Sequence, residues 1–94
     1  MELLYKTPFK KFVKKQARPF QLVIEDEVDL IKANPSIGIS KKQDLAGMNV
    51  HKFTFHKQEY LIAYKQTGRV LVFYMIDTHE NFYRELKRYI KAEE

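Results

Sequence analysis

Apolar and polar positions along the chain mark out a succession of short elements. Residues 2–6, ELLYK, are mostly apolar and lead into Thr7-Pro8, where Thr can cap a helix and Pro is tolerated at its first position. This reads as a strand handing over to a helix. Over residues 8–16, Phe9, Phe12 and Val13 fall at helical spacing while Lys10, Lys11, Lys14 and Lys15 take the remaining positions. Ala17-Arg18-Pro19 breaks the pattern, because the residue before a proline is biased out of the α region. A second helix is expected from Pro19 to Ala33, with Phe20, Val23, Ile24, Val28 and Ile31 at spacings of three and four and Glu25, Asp26, Glu27 and Asp29 on its other side. Asn34-Pro35 ends it.

Residues 34–48, NPSIGISKKQDLAGM, have no period and read as a long loop, a feature that is often functional in a small domain. From Asn49 to His56 the chain alternates, with His51, Phe53 and Phe55 on one side and Val50, Lys52, Thr54 and His56 on the other, as in a half-buried strand. Residues 60–65, YLIAYK, predict a further strand, joined through a Gln66-Thr67-Gly68 turn to the apolar run Val70–Ile76. That run, VLVFYMI, suits a central strand covered on both faces. The last segment, 79–92, carries Phe82, Leu86, Tyr89 and Ile90 at helical spacing, with Asp77 and Glu80 at a capping-box offset. The expected fold is α+β: an N-terminal strand and a helical hairpin packed on a mainly antiparallel four-stranded sheet, with a C-terminal helix, in a single domain over residues 1–94.

Composition narrows the classes. With 94 residues, 45% of them hydrophobic, the chain can build one compact core and not two. Seventeen Lys and Arg against twelve Asp and Glu give a net charge of +5, which favours a polyanionic partner such as RNA, DNA or an acidic protein segment. The acidic second helix makes the molecule electrically lopsided, so a polyanion is expected at the lysine face of the first. No cysteine is present, so the fold relies on neither a disulfide nor a thiolate metal site. No apolar run reaches the roughly 20 residues of a membrane span, and MELLYKTPFKK lacks the order of a signal peptide. A soluble, cytoplasmic protein is the expectation.

Of the three histidines, His51 and His56 lie on opposite faces of a strand by the period-two rule, and no metal site is expected. Nucleotide-binding and serine-hydrolase motifs are absent from the sequence, and no cofactor is expected. His79 and Tyr83, four apart on a helix, share a face, and with Lys52 and His56 from a neighbouring strand they can line one groove. Cleaving RNA without a metal needs a base for the 2′-hydroxyl, a cation for the charged phosphorane and an acid for the leaving oxygen. A histidine, lysines or arginines, and a tyrosine can fill these roles, and the tyrosine ring can stack on a base. The alternative is a His79 that faces solvent in a first helical turn and a Tyr83 that belongs to the core. The lysines of the first helix are either a solvated face or a nucleic-acid contact. Arg84, Lys87, Arg88 and Lys91 extend the positive surface or suit a helix carboxyl end.

The order of elements resembles the RelE/ParE superfamily of toxins from bacterial type II toxin-antitoxin modules, and specific residues carry the likeness. They are the helical hairpin ending near Asn34-Pro35, the Asp44-Leu45-x-Gly47 turn, the YLIAYK strand and the terminal Thr78-His79-x-x-x-Tyr83. The resemblance covers nearly the whole chain. It implies a small cytoplasmic toxin neutralised by a cognate antitoxin that wraps an extended or helical segment over it, with operator DNA bound only through that antitoxin. In RelE-like members the activity is metal-independent cleavage of mRNA on the ribosome; in ParE-like members the target is DNA gyrase. Similarity to the YafQ-like nucleases implies a catalytic His79 with Tyr83 in the site, and Lys52 matches a strand lysine of RelE. The strand arginine of RelE is here Leu61 and a second lysine is Thr54, so phosphate contacts fall to His56, Lys57 or Arg84, with Lys41 and Lys42 adding charge from the loop. The expected activity is therefore a ribosome-dependent mRNA endonuclease that inhibits translation. Its alternatives are a ParE-like gyrase inhibitor and a basic domain whose one partner is an antitoxin.

Overall fold

A computed structural model describes residues 1–93, and its elements begin where the sequence permits them. Strand β1 (Glu2–Tyr5) is followed by helices α1 (Thr7–Lys14) and α2 (Arg18–Ala33). Both helices carry proline in the first turn, where the missing N–H has no intrahelical partner to lose. Thr7, expected as a cap, is instead the first helical residue, and extended Lys6 precedes it without a side-chain cap. Then come β2 (Ile39–Ser40), β3 (Asn49–Phe55), β4 (Gln58–Thr67), β5 (Val70–Thr78) and α3 (His79–Glu93), with short 3₁₀ turns at Pro35–Ile37 and Gln43–Leu45.

The sheet has five strands rather than the four expected, in the order β1-β5-β4-β3-β2. The extra one is β2, where Ile39 and Ser40 pair with Val50 and Asn49. A two-residue edge strand is too short to show a period, which is why it read as loop. Strand β1 runs parallel to β5 and the remaining pairs are antiparallel. The centre of the sheet is β4, whereas the long apolar run of β5 had marked β5 for that place.

Two cores explain that run. On one face, Phe9 of α1 and Phe20, Ile24, Val28 and Ile31 of α2 pack on Phe53, Ile62, Tyr64, Leu71, Phe73 and Ile76. On the other, Phe82 and Leu86 of α3, with Leu45 and Met48 from the loop, cover Val50, Leu61, Ala63 and Met75. Ladder partners shift between Ala63, opposite Met75, and Tyr64, opposite Phe73, which leaves Tyr74 as an extra residue in β5. This bulge turns Met75 towards α3 while Phe73 stays under the hairpin.

Two turns differ from expectation. Strand β3 stops at Phe55, and His56 and Lys57 form the β3–β4 turn with φ of 49° and 65°, the left-handed pair that a type I′ hairpin requires. His56 is thus a turn residue and not a strand residue. Thr67 still pairs with Val70, so Gly68 and Arg69 make the next turn, and Gly68 takes a φ of 61°. No described helix is long and apolar enough to cross a membrane.

Candidate functional site

On the α3 face of the sheet lies a groove of about 400 Å³ that brings together residues far apart in sequence. Its floor is Leu61, buried in the second core. Its sides are Lys52 from β3, His79 and Tyr83 from α3, and Ile37, Ile39 and Lys41 from the segment around β2.

Each side chain is placed by its element. His79 opens α3 directly after β5, so its backbone is anchored by the sheet while 57% of its side chain remains exposed. Asp77 accepts a 2.7 Å hydrogen bond from the Thr78 amide at this junction, in place of the capping box expected with Glu80. One helical turn on, Tyr83 meets His79 edge-to-face, with ring centroids 6.3 Å apart. The Lys41 ammonium lies 5.1 Å from the centre of the Tyr83 ring, within the range of a cation–π contact. Lys52 projects beside the floor because β3 pairs it directly with Leu61.

Glu59, which the sequence reading passed over, completes the arrangement. Its carboxylate lies 3.8 Å from the Lys52 ammonium and 4.0 Å from the His79 imidazole Nε2. The signal for it was its position two residues before Leu61 on β4, which puts it on the same sheet face. Its cross-strand partner Thr54 is on that face too.

The other expected site residues lie outside the lining of this groove. His56 and Lys57 form the exposed hairpin turn, where the His56 ring leans on Phe55 at 4.1 Å. Lys42 is exposed before the second 3₁₀ turn. The Arg84 guanidinium is drawn to Asn81 and Glu85 at 3.1 and 3.4 Å. His51, which unlike these borders the groove, directs its Nε2 to Glu27 of α2, donating to the carboxylate at 2.8 Å. The three histidines therefore differ: the His51 ring bonds to Glu27 of α2, His56 sits in a turn, and the His79 ring faces the Glu59 carboxylate. Lys10, Lys11 and Lys14 of α1, and Lys15 directly after it, are all exposed.

Chemically, the groove offers two ammonium groups, an imidazole, a carboxylate and an aromatic ring above an apolar floor. The Glu59 carboxylate between Lys52 and His79 marks a position where one anion meets two nitrogen donors.

A family model described as the ParE-like toxin of type II bacterial toxin-antitoxin systems matches residues 3–87. The crystal structure of the isolated RelE toxin of E. coli superimposes with a TM-score of 0.64, covering 97% of each chain at 12% sequence identity, a likeness of fold. No curated protein matches the sequence.

Proposed function

From the premise that the chain belongs to the ParE-like toxins of type II bacterial toxin-antitoxin systems, we propose that it is a ribosome-dependent, metal-independent mRNA endonuclease that inhibits translation. Membership implies a cognate antitoxin as partner. The nuclease reading goes further, and one observation carries it: Lys52 and His79, from separate elements, converge on a single carboxylate beside an aromatic ring.

In this reading a phosphate of the mRNA replaces the Glu59 carboxylate between Lys52 and His79. The 2′-oxygen attacks phosphorus as the bond to the 5′-oxygen breaks, leaving a 2′,3′-cyclic phosphate and a 5′-hydroxyl. His79 moves one of the two protons, as acid to the leaving oxygen or base to the attacking one, and water exchanges the other. Lys52 stabilises the charge that builds on the phosphorane. Leu61 supplies no cation, so Lys41 is the second positive group within the groove. Tyr83 stacks on or positions the neighbouring base. His56, Lys57, Lys42 and Arg84 are assigned to flanking phosphates outside the groove. The 94-residue chain acts as one toxin domain in the cytoplasm, and it reaches operator DNA through its antitoxin.

The second reading is inhibition of DNA gyrase, favoured by the ParE-like description of the family model and by the exposed lysine face of α1. Induced expression separates the two. A nuclease truncates transcripts at mapped positions on translating ribosomes and leaves plasmid supercoiling intact. Intact transcripts with blocked supercoiling by purified gyrase would replace the nuclease reading with the gyrase one.

A further inference from the structure

The wall of the groove facing α3 is apolar, exposed and rigidly held. Ile37 and Ile39 are 42% and 64% exposed, and Ile39 is the most exposed large apolar residue among the described residues. Ile37, which closes the first 3₁₀ turn, lines the groove together with Ile39 and Lys41 of the extended segment that follows. The intervening Gly38 meets the Tyr64 hydroxyl of the hairpin-side core. Its amide donates to Tyr64 Oη at 2.9 Å, and the same hydroxyl donates to the Pro35 carbonyl at 2.6 Å. From the other side, Ile39 pairs with Val50, and the Lys41 amide donates to the Met48 carbonyl at 2.8 Å. The two isoleucines are therefore fixed in place and cannot collapse onto the core to hide from water.

An apolar wall flanked by Lys41 and Lys52, with a tyrosine ring also in the groove, matches the chemistry of a nucleotide: a flat ring that sheds water and a phosphate that seeks cations. We propose that Ile37 and Ile39 form one side of a slot, and Tyr83 the other, that takes a single unstacked base of the mRNA next to the cleaved phosphate. This rests on the nuclease reading and adds to it a subsite for the base. In the free protein Lys41 covers the tyrosine ring. When the base enters, the flexible lysine stem swings to a phosphate.

The test is single-turnover cleavage of ribosome-bound mRNA, either intact or carrying an abasic site at the cleaved position. Ile39→Ala and Ile37→Ala lower the cleavage efficiency of intact mRNA by roughly 10- to 100-fold, the scale of lost apolar burial for one such side chain. On the abasic mRNA they cut as wild type does. Thermal melting of Ile39→Ala is unchanged, because the side chain is mostly in solvent. Equal losses on both templates, or wild-type cleavage of intact mRNA, would overturn the slot while leaving the nuclease reading in place. Unchanged cleavage together with lost capture of the co-expressed antitoxin would assign the wall to that protein instead. If wild type cuts no ribosome-bound mRNA, the nuclease reading fails and the slot with it.

Discussion

Lys52 on β3 stands directly opposite Leu61 on β4, so the groove's strand lysine rises beside an apolar floor with no cation opposite it. Its ammonium is held by Glu59 at 3.8 Å, and 56% of its side chain is exposed.

Under the proposed nuclease reading, with no second strand cation, Lys52 would carry more of the charge of the transition state. Lys52→Ala is expected to reduce cleavage of ribosome-bound mRNA by about 10²- to 10³-fold and His79→Ala by about 10²- to 10⁴-fold. Both side chains are more than half exposed, so melting temperatures stay within a degree or two of wild type, on the order of 0.5 kcal/mol or less. Glu59→Gln removes the anion that phosphate must displace and keeps at least wild-type cleavage. A hundredfold loss in that variant would instead give the carboxylate a proton-transfer role.

The Gly38–Tyr64 contact leaves no room for a side chain. A Cβ at residue 38 would lie 2.6 Å from Tyr64 Oη. Gly38→Ala is expected to cost about 1–3 kcal/mol through overpacking. Tyr64→Phe costs a similar amount, about 1–3 kcal/mol, because the Pro35 carbonyl and the Gly38 amide lose their partner. The double variant makes part of the space that the alanine needs, so its loss falls short of the sum by about 0.5–3 kcal/mol. Urea unfolding of all four proteins measures the coupling, and strict additivity would sink the account.

His51 and Glu27 tie the sheet to α2 through a 2.8 Å bond in which the imidazole donates. Glu27→Ala strands a buried histidine and is expected to cost about 1–3 kcal/mol. In a domain of this size that lowers the melting temperature by roughly 4–8 °C per kcal/mol. Calorimetry reads it directly. An unchanged melting temperature would mean that the pair contributes nothing to holding α2 in place.

Stability should decline in alkali. Burial raises the hydroxyl pKa of Tyr64 above its ordinary 10.0, and burial also raises those of Tyr5 and Tyr89, assisted by nearby carboxylates. The hydrogen bond to Glu93 raises that of Lys6 above 10.5. Each group holds its proton more tightly when folded. Its contribution is therefore complete below the ordinary value and is lost as pH rises from about 10 through the raised folded value. Urea midpoints between pH 9 and pH 11.5 should fall, and Tyr64→Phe should fall less steeply than wild type. Midpoints that hold constant over that range would contradict the assignment.

Much of the fold was legible because the signals are local. The apolar faces of α1, α2 and α3 are spaced within a few residues of one another, so Phe9, Ile24, Phe82 and Leu86 were identifiable as inward-facing from periodicity. The seven apolar residues from Val70 required cover on both faces, and the two cores supply it. The pairing of His79 with Tyr83 followed from helical geometry, and Lys52 was separated from Phe53 by strand alternation.

What the tertiary structure decided depends on partners remote in sequence. Ile39 and Ser40 form a strand only because Val50 and Asn49 offer an edge, and no pattern within two residues can announce that. Glu59 joins the site through the register that sets β4 against β3 and through the helix start that brings His79 to it. His56 left the strand because the hairpin needed two left-handed residues, a demand set by the pairing of Phe55 with Gln58. Sequence by itself determined which elements form and which sides of them avoid water, since spacing along one segment is enough for that. Register, edges and the meeting of Lys52, Glu59 and His79 were decided in three dimensions, where each position depends on a backbone that another part of the chain provides.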